Sequence, residues 1–130
     1  DERPTRDVDH ESDIYDLDVI HSFLGTNEDA INDVLYTFLR DTKTNMGLLR
    51  EGLNIEDYEH VNQVAHRMLP MFRQLQVDNC VPILETMELA KKVTLNINAL
   101  RNLHEKLDRN VTVLIAALAT RLATSPSYSD

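Results

Sequence analysis

Residues 59–88 read EHVNQVAHRMLPMFRQLQVDNCVPILETME, and this stretch decides how the rest of the chain is read. Val61, Val64, Ala65, Met68, Phe72 and Leu75 recur at helical spacing and draw one apolar stripe. His66 stands about 100° round that helix from Ala65, so one imidazole sits on the flank of a core-facing helix. Between Glu59 and Asp78 there is no acidic residue, only Arg67 and Arg73 beside two histidines, in a chain that is otherwise acidic. Such a local field suits a negatively charged group or partner.

The chain of 130 residues fits one domain with a single core. It has three Gly, four Pro and no Trp, and its apolar content is mostly Leu, Ala, Val, Ile and Met, the composition of an all-α protein. The formal charge is −9, which counts against nucleic acid as a partner. Residues 1–18 hold eight acids and two arginines, a net of −6, so the remaining residues account for only −3. Acidity thus belongs mostly to the leader. Cys80 is the only cysteine, which excludes an internal disulfide and favours a reducing, cytoplasmic setting. No apolar run approaches the ~20 residues of a membrane span, so no membrane contact is expected of this segment. The polar ends, DERPTRDVDHES and TSPSYSD, read as linkers of a domain taken from something larger.

Working outward, residues 1–13 form a polar leader, residues 14–123 the helical domain and residues 124–130 a polar tail. Ile14, Leu17, Ile20 and Phe23-Leu24 predict a short helix closed by Gly25. Thr26 or Asn27 caps a second helix that runs to Asn54, about 40 Å long, with Glu28 and Asp29 in its first turn. Gly47 inside it suggests a close helix contact. The His66 helix begins near Glu56 and ends near Gln76, with Pro70 expected to bend or widen it beside the histidine. Asp78 or Asn79 caps a fourth helix that fades by Thr94, and Asn96 or Asn98 opens the last. Four substantial helices with short connections predict an up-and-down antiparallel four-helix bundle, with the short N-terminal helix added. A bundle that closes its own core is expected to be a monomer.

This order of helices resembles the histidine phosphotransfer (HPt) domain of multistep two-component signalling, over about residues 14–122. Ala65-His66-Arg67-Met68 is similar to the phosphorylated segment, and Leu84-Glu85-Thr86-Met87-Glu88 to the helix that follows. Many members of the family carry Lys and Gly three and four residues after the histidine, where this chain has Leu69 and Pro70. HRMLPMFRQL is instead similar to a subgroup in hybrid sensor kinases of gut-type bacteria. The resemblance implies that His66 accepts a phosphoryl group from the aspartyl phosphate of one receiver domain and passes it to another. A receiver would be the partner and would bring the Mg²⁺; no cofactor is implied in this chain. It also implies Glu88 as the group that orients the other ring nitrogen, with Arg67, Leu69, Pro70 and Arg73 serving receiver docking or charge compensation. Leu69, Met71 and Pro70 are expected to be exposed at the centre of that docking face.

Plainer readings stand beside these. A lone flank histidine is ordinarily a solvated polar residue, and the methionines are ordinarily packing groups. His60 and His66 face roughly 240° apart and cannot share a metal on a regular helix, and no metal motif is present. No Gly-rich phosphate loop points to autonomous ATP chemistry. The rival functions are a receiver-docking adaptor of the same fold that is not phosphorylated, and a structural bundle that dimerises.

Overall fold

A computed structural model describes residues 14–124, so the expected leader at 1–13 and nearly all of the expected tail lie outside the described residues. The described residues form five helices and no strand: α1 (Asp18–Leu24), α2 (Glu28–Asn54), α3 (Tyr58–Gln74), α4 (Val81–Leu89) and α5 (Ile97–Ala123). The all-α expectation holds. None of these helices is long and apolar enough to cross a membrane.

Local chemistry sets most of the boundaries. Gly25, at φ 63°, closes α1 by donating its N–H to the His21 carbonyl. The side chain of Asn27 caps α2 by accepting from Ala30 N, and Asn96 does the same for α5 with Ala99 N. At the end of α2, Glu56 takes φ 55°; Asp57 N donates to Gly52 O and Glu56 N to Leu53 O, a Schellman closure. The Asp57 carboxylate then accepts from His60 N and starts α3. One short connection therefore ends one helix and opens the next. α3 ends the same way, with Gln76 at φ 53° and Val77 N donating to Phe72 O.

Three expectations, two about α4 and one about the glycines, need correction. α4 is capped by neither Asp78 nor Asn79: Cys80 stands at its N-cap without a side-chain bond, and Pro82 occupies its first turn. It ends at Leu89, short of Thr94, because Ala90 is extended at φ −64°, ψ 136°. The glycine in close contact is Gly52. A Cβ there would lie 2.6 Å from His60 Cδ2, whereas one at Gly47 would meet nothing within 4 Å. α3 runs through Pro70 without interruption.

One core joins the described helices, with Leu35, Leu49, Phe72, Leu84, Leu107 and Leu114 among its fully buried members. Burial of each such side chain stabilises the fold by about 1.5–3 kcal/mol. α3 packs between α2 and α4, while α2 and α4 each also touch α5, and α1 lies on α2. The Phe38 and Phe72 rings meet edge to face at 4.9 Å between α2 and α3. Asp16 N donates to Leu75 O at 2.8 Å, tying the segment before α1 to the end of α3. Cys80 is sealed in the core, where burial pushes its thiol up to about 12 and leaves no thiolate for chemistry.

Candidate functional site

The apolar stripe of α3 fixes what its other faces can do. Val61, Val64, Ala65, Met68, Leu69 and Phe72 are buried, so the helix cannot rotate without expelling its core contacts. His66 is thereby held outward, and its side chain is 75% exposed. Glu88, in the last turn of α4, meets it: a carboxylate oxygen of Glu88, itself only 25% exposed, pairs with His66 Nδ1. A carboxylate only accepts, so Nδ1 carries the hydrogen, and in the neutral ring the free lone pair belongs to Nε2. The ring thus has one nitrogen fixed by the protein and the other facing solvent.

Glu88 stays in place because α4 is gripped from α3. Asn62, one turn before His66, donates Nδ2 to the Met87 carbonyl at 2.8 Å and to the Ala90 carbonyl at 3.0 Å. These carbonyls bracket Glu88. Nothing in the residue pattern announced this role, since the partners are backbone groups 25 and 28 residues away. The one available signal was the spacing: Asn62 and His66, four apart, share a helix face.

The cations separate. Arg73 Nη2 reaches Glu85 Oε2 at 3.0 Å, which turns it toward α4 and makes it a rung between helices. Arg67 is exposed and borders two hollows. One, beside His66, is floored by Asn62, Gln63, Glu88 and Leu89. The other is a groove of about 410 Å³ between α2 and α3, with Phe38, Met68, Met71 and Phe72 at its base and Asp33 and Asp41 on its rim.

The expected apolar centre of the docking face changes accordingly. Leu69 is 1% exposed and is a core residue, because it lies four after Ala65 and eight after Val61 on the buried stripe. Pro70 is exposed, and Met71 is half-buried where it lines the groove. The large exposed apolar side chain next to the His66–Glu88 pair is Leu89, 72% exposed, which the residue pattern did not single out.

Pro70 has a local effect on the site: it has no N–H to give the His66 carbonyl, so that acceptor is released from the helix ladder. Among the described residues no three His, Cys, Asp or Glu side chains converge into a metal site. No protein-family model matches the chain, and neither any curated protein nor any solved structure is significantly similar to it.

Proposed function

We propose that this chain is a histidine phosphotransfer domain that relays a phosphoryl group between receiver aspartates through His66. The observation that carries the reading is the ring itself: Nδ1 occupied by Glu88, and the side chain 75% exposed. In this reading α2, α3, α4 and α5 form an up-and-down antiparallel four-helix bundle with α1 added. The contacts of α3 with α2 and α4, and of α5 with the same two helices, support that arrangement.

The chemistry asks little of this partner. Nε2 attacks the phosphorus of an aspartyl phosphate. The N–P bond forms as the acyl P–O bond breaks, and the electron pair leaves with the receiver carboxylate. Positive charge that develops on the ring is shared with Glu88 through the Nδ1 hydrogen. Phosphoryl transfer is governed by position and charge neutralisation, and the receiver would supply the Mg²⁺ and the cation. The absence of Lys at position 69 leaves Arg67 as the nearest cation in sequence, since Arg73 is engaged by Glu85. Its length suits the rim of a docked receiver better than the phosphoryl oxygens. The chain would act in the cytoplasm as one module of a hybrid sensor kinase.

Incubation with a phosphorylated receiver and Mg²⁺ tests the proposal. The expected result is an acid-labile, base-stable phosphate on this chain that disappears in His66→Gln. Protection of the receiver phosphate without transfer of label would replace the relay with the docking adaptor. A dimer mass with neither label nor protection would leave the dimerising bundle.

A further inference from the structure

The geometry points to Asn62 as the positioning residue of the site: its amide holds the end of α4 so that Glu88 sets the tautomer of His66. The inference rests on the phosphotransfer reading only for its kinetic consequence.

α4 is a short helix whose own ends are weakly secured. With nine residues it is shorter than the ~12–15 that give an isolated helix even marginal stability. No side chain caps its N-terminus, and at its other end Ala90 leaves in an extended conformation, its N–H reaching Met87 O at a long 3.4 Å. The last carbonyls of a helix need partners from elsewhere. Asn62 supplies them, with one NH₂ group bonded to two carbonyls on either side of residue 88. Both partners are obligate acceptors, so they also fix which way the amide points.

The coupling to the ring is mechanical. Asn62 and His66 are one turn apart on a helix locked by its buried stripe, so the carbonyl clamp and the imidazole share one rigid base. Releasing the clamp lets the last turn of α4 fray, and Glu88 leaves Nδ1. The neutral ring is then free to place its hydrogen on Nε2, where it blocks the attacking lone pair.

The experiment is a ¹⁵N–¹H correlation of the imidazole nitrogens in the full chain at mildly alkaline pH, alongside the transfer rate from a phosphorylated receiver. In the unsubstituted protein His66 is expected as the Nδ1–H tautomer. Asn62→Ala should move it toward Nε2–H, with the backbone spectrum of α2 and α5 unchanged, and slow phosphoryl acceptance about tenfold, the low end for loss of an orienting partner. Asn62→Gln, which keeps the donor, should restore part of both. If Asn62→Ala fails to fold, Asn62→Ser retains one donor and should give an intermediate tautomer ratio. A His66 ring that is already Nε2–H in the unsubstituted protein, or a ratio unmoved by any of these variants, overturns the inference. A tautomer that shifts as expected in a chain that never accepts phosphate overturns the functional reading and leaves the positioning role standing.

Discussion

Two histidines six residues apart on α3 meet opposite fates on opposite walls of the helix. On the α2 wall, His60 lies over Gly52 with its Nε2 2.9 Å from the Leu48 carbonyl. A carbonyl only accepts, so the hydrogen of His60 sits on Nε2 and the ring is spent on joining two helices. On the α4 wall, His66 pairs through Nδ1 with Glu88 and keeps Nε2 for solvent. The same side chain on the same helix is set into opposite tautomers by what stands opposite. Both walls are closely packed; the α2 wall spends its histidine on the helix contact, and the α4 wall adds polar rungs that leave one ring nitrogen free.

The largest effects should come from breaking the packing between α2 and α3. Phe72, 1% exposed and edge-on to Phe38, has no water to replace what it touches. Phe72→Ala should cost about 3–5 kcal/mol in chemical unfolding, through lost burial and the cavity left behind. A loss under about 1 kcal/mol would mean the groove beside it collapses freely and the wall is not tightly packed.

The two helical glycines give a test of sign. Gly52→Ala would put a Cβ 2.6 Å from His60 Cδ2 and 3.0 Å from Val61 Cγ2, so the imidazole must leave Leu48 O. Overpacking outweighs the gain in helix propensity there, for a net loss of about 1–2 kcal/mol. Gly47→Ala meets open space and should stabilise by up to about 1 kcal/mol. Equal signs for the two would undo the distinction between the glycines.

That pair also marks what sequence could and could not disclose. The stripe from Val61 to Leu75, the caps at Asn27 and Asn96 and the stop at Gly25 were legible because each is settled within one or two helix turns. So was the outward placement of His66, which follows from its angle to Ala65. Which glycine is covered depends on how α2 crosses α3, and that is not local. The end of α4 was missed for the same reason: Ala90 continues the apolar spacing of Val81, Leu84 and Met87, yet the backbone turns away there, where Asn62 takes its carbonyl. Leu69 differs, since its place on the stripe was readable. The expectation of an exposed residue came from the family position, and the packing overrules it.

A third histidine tests the lesson by its pH dependence. His104 on α5 has a buried Nε2 with no hydrogen-bond partner among the described residues. Burial pulls its pKa below 6.5; Asp108 and Glu105 oppose that shift, and Arg50 adds to it. The unfolded chain therefore binds this proton more readily than the folded one. Stability from the neutral ring is full above the ordinary value and is lost as pH falls below about 6.5. Urea midpoints at pH 7.5 and 5.5 should fall on acidification, and His104→Gln should remove part of that slope. An unchanged slope would mean that the ring takes up its proton as readily in the folded chain as in the unfolded one.

The smallest effect should come from the polar rungs of the α4 wall. Arg73 and Glu85 are about half exposed, at 53% and 49%, so water screens their attraction and two long side chains must be ordered to make it. Arg73→Ala should therefore change unfolding free energy by less than about 1 kcal/mol, and by less still in high salt. It should leave the tautomer of His66 where it is, because the clamp on α4 runs through Asn62 at the other end of the contact. A shift of the His66 tautomer in Arg73→Ala would show that α4 moves as one rod. The site would then depend on the whole α3–α4 contact and not on the turn that carries Glu88.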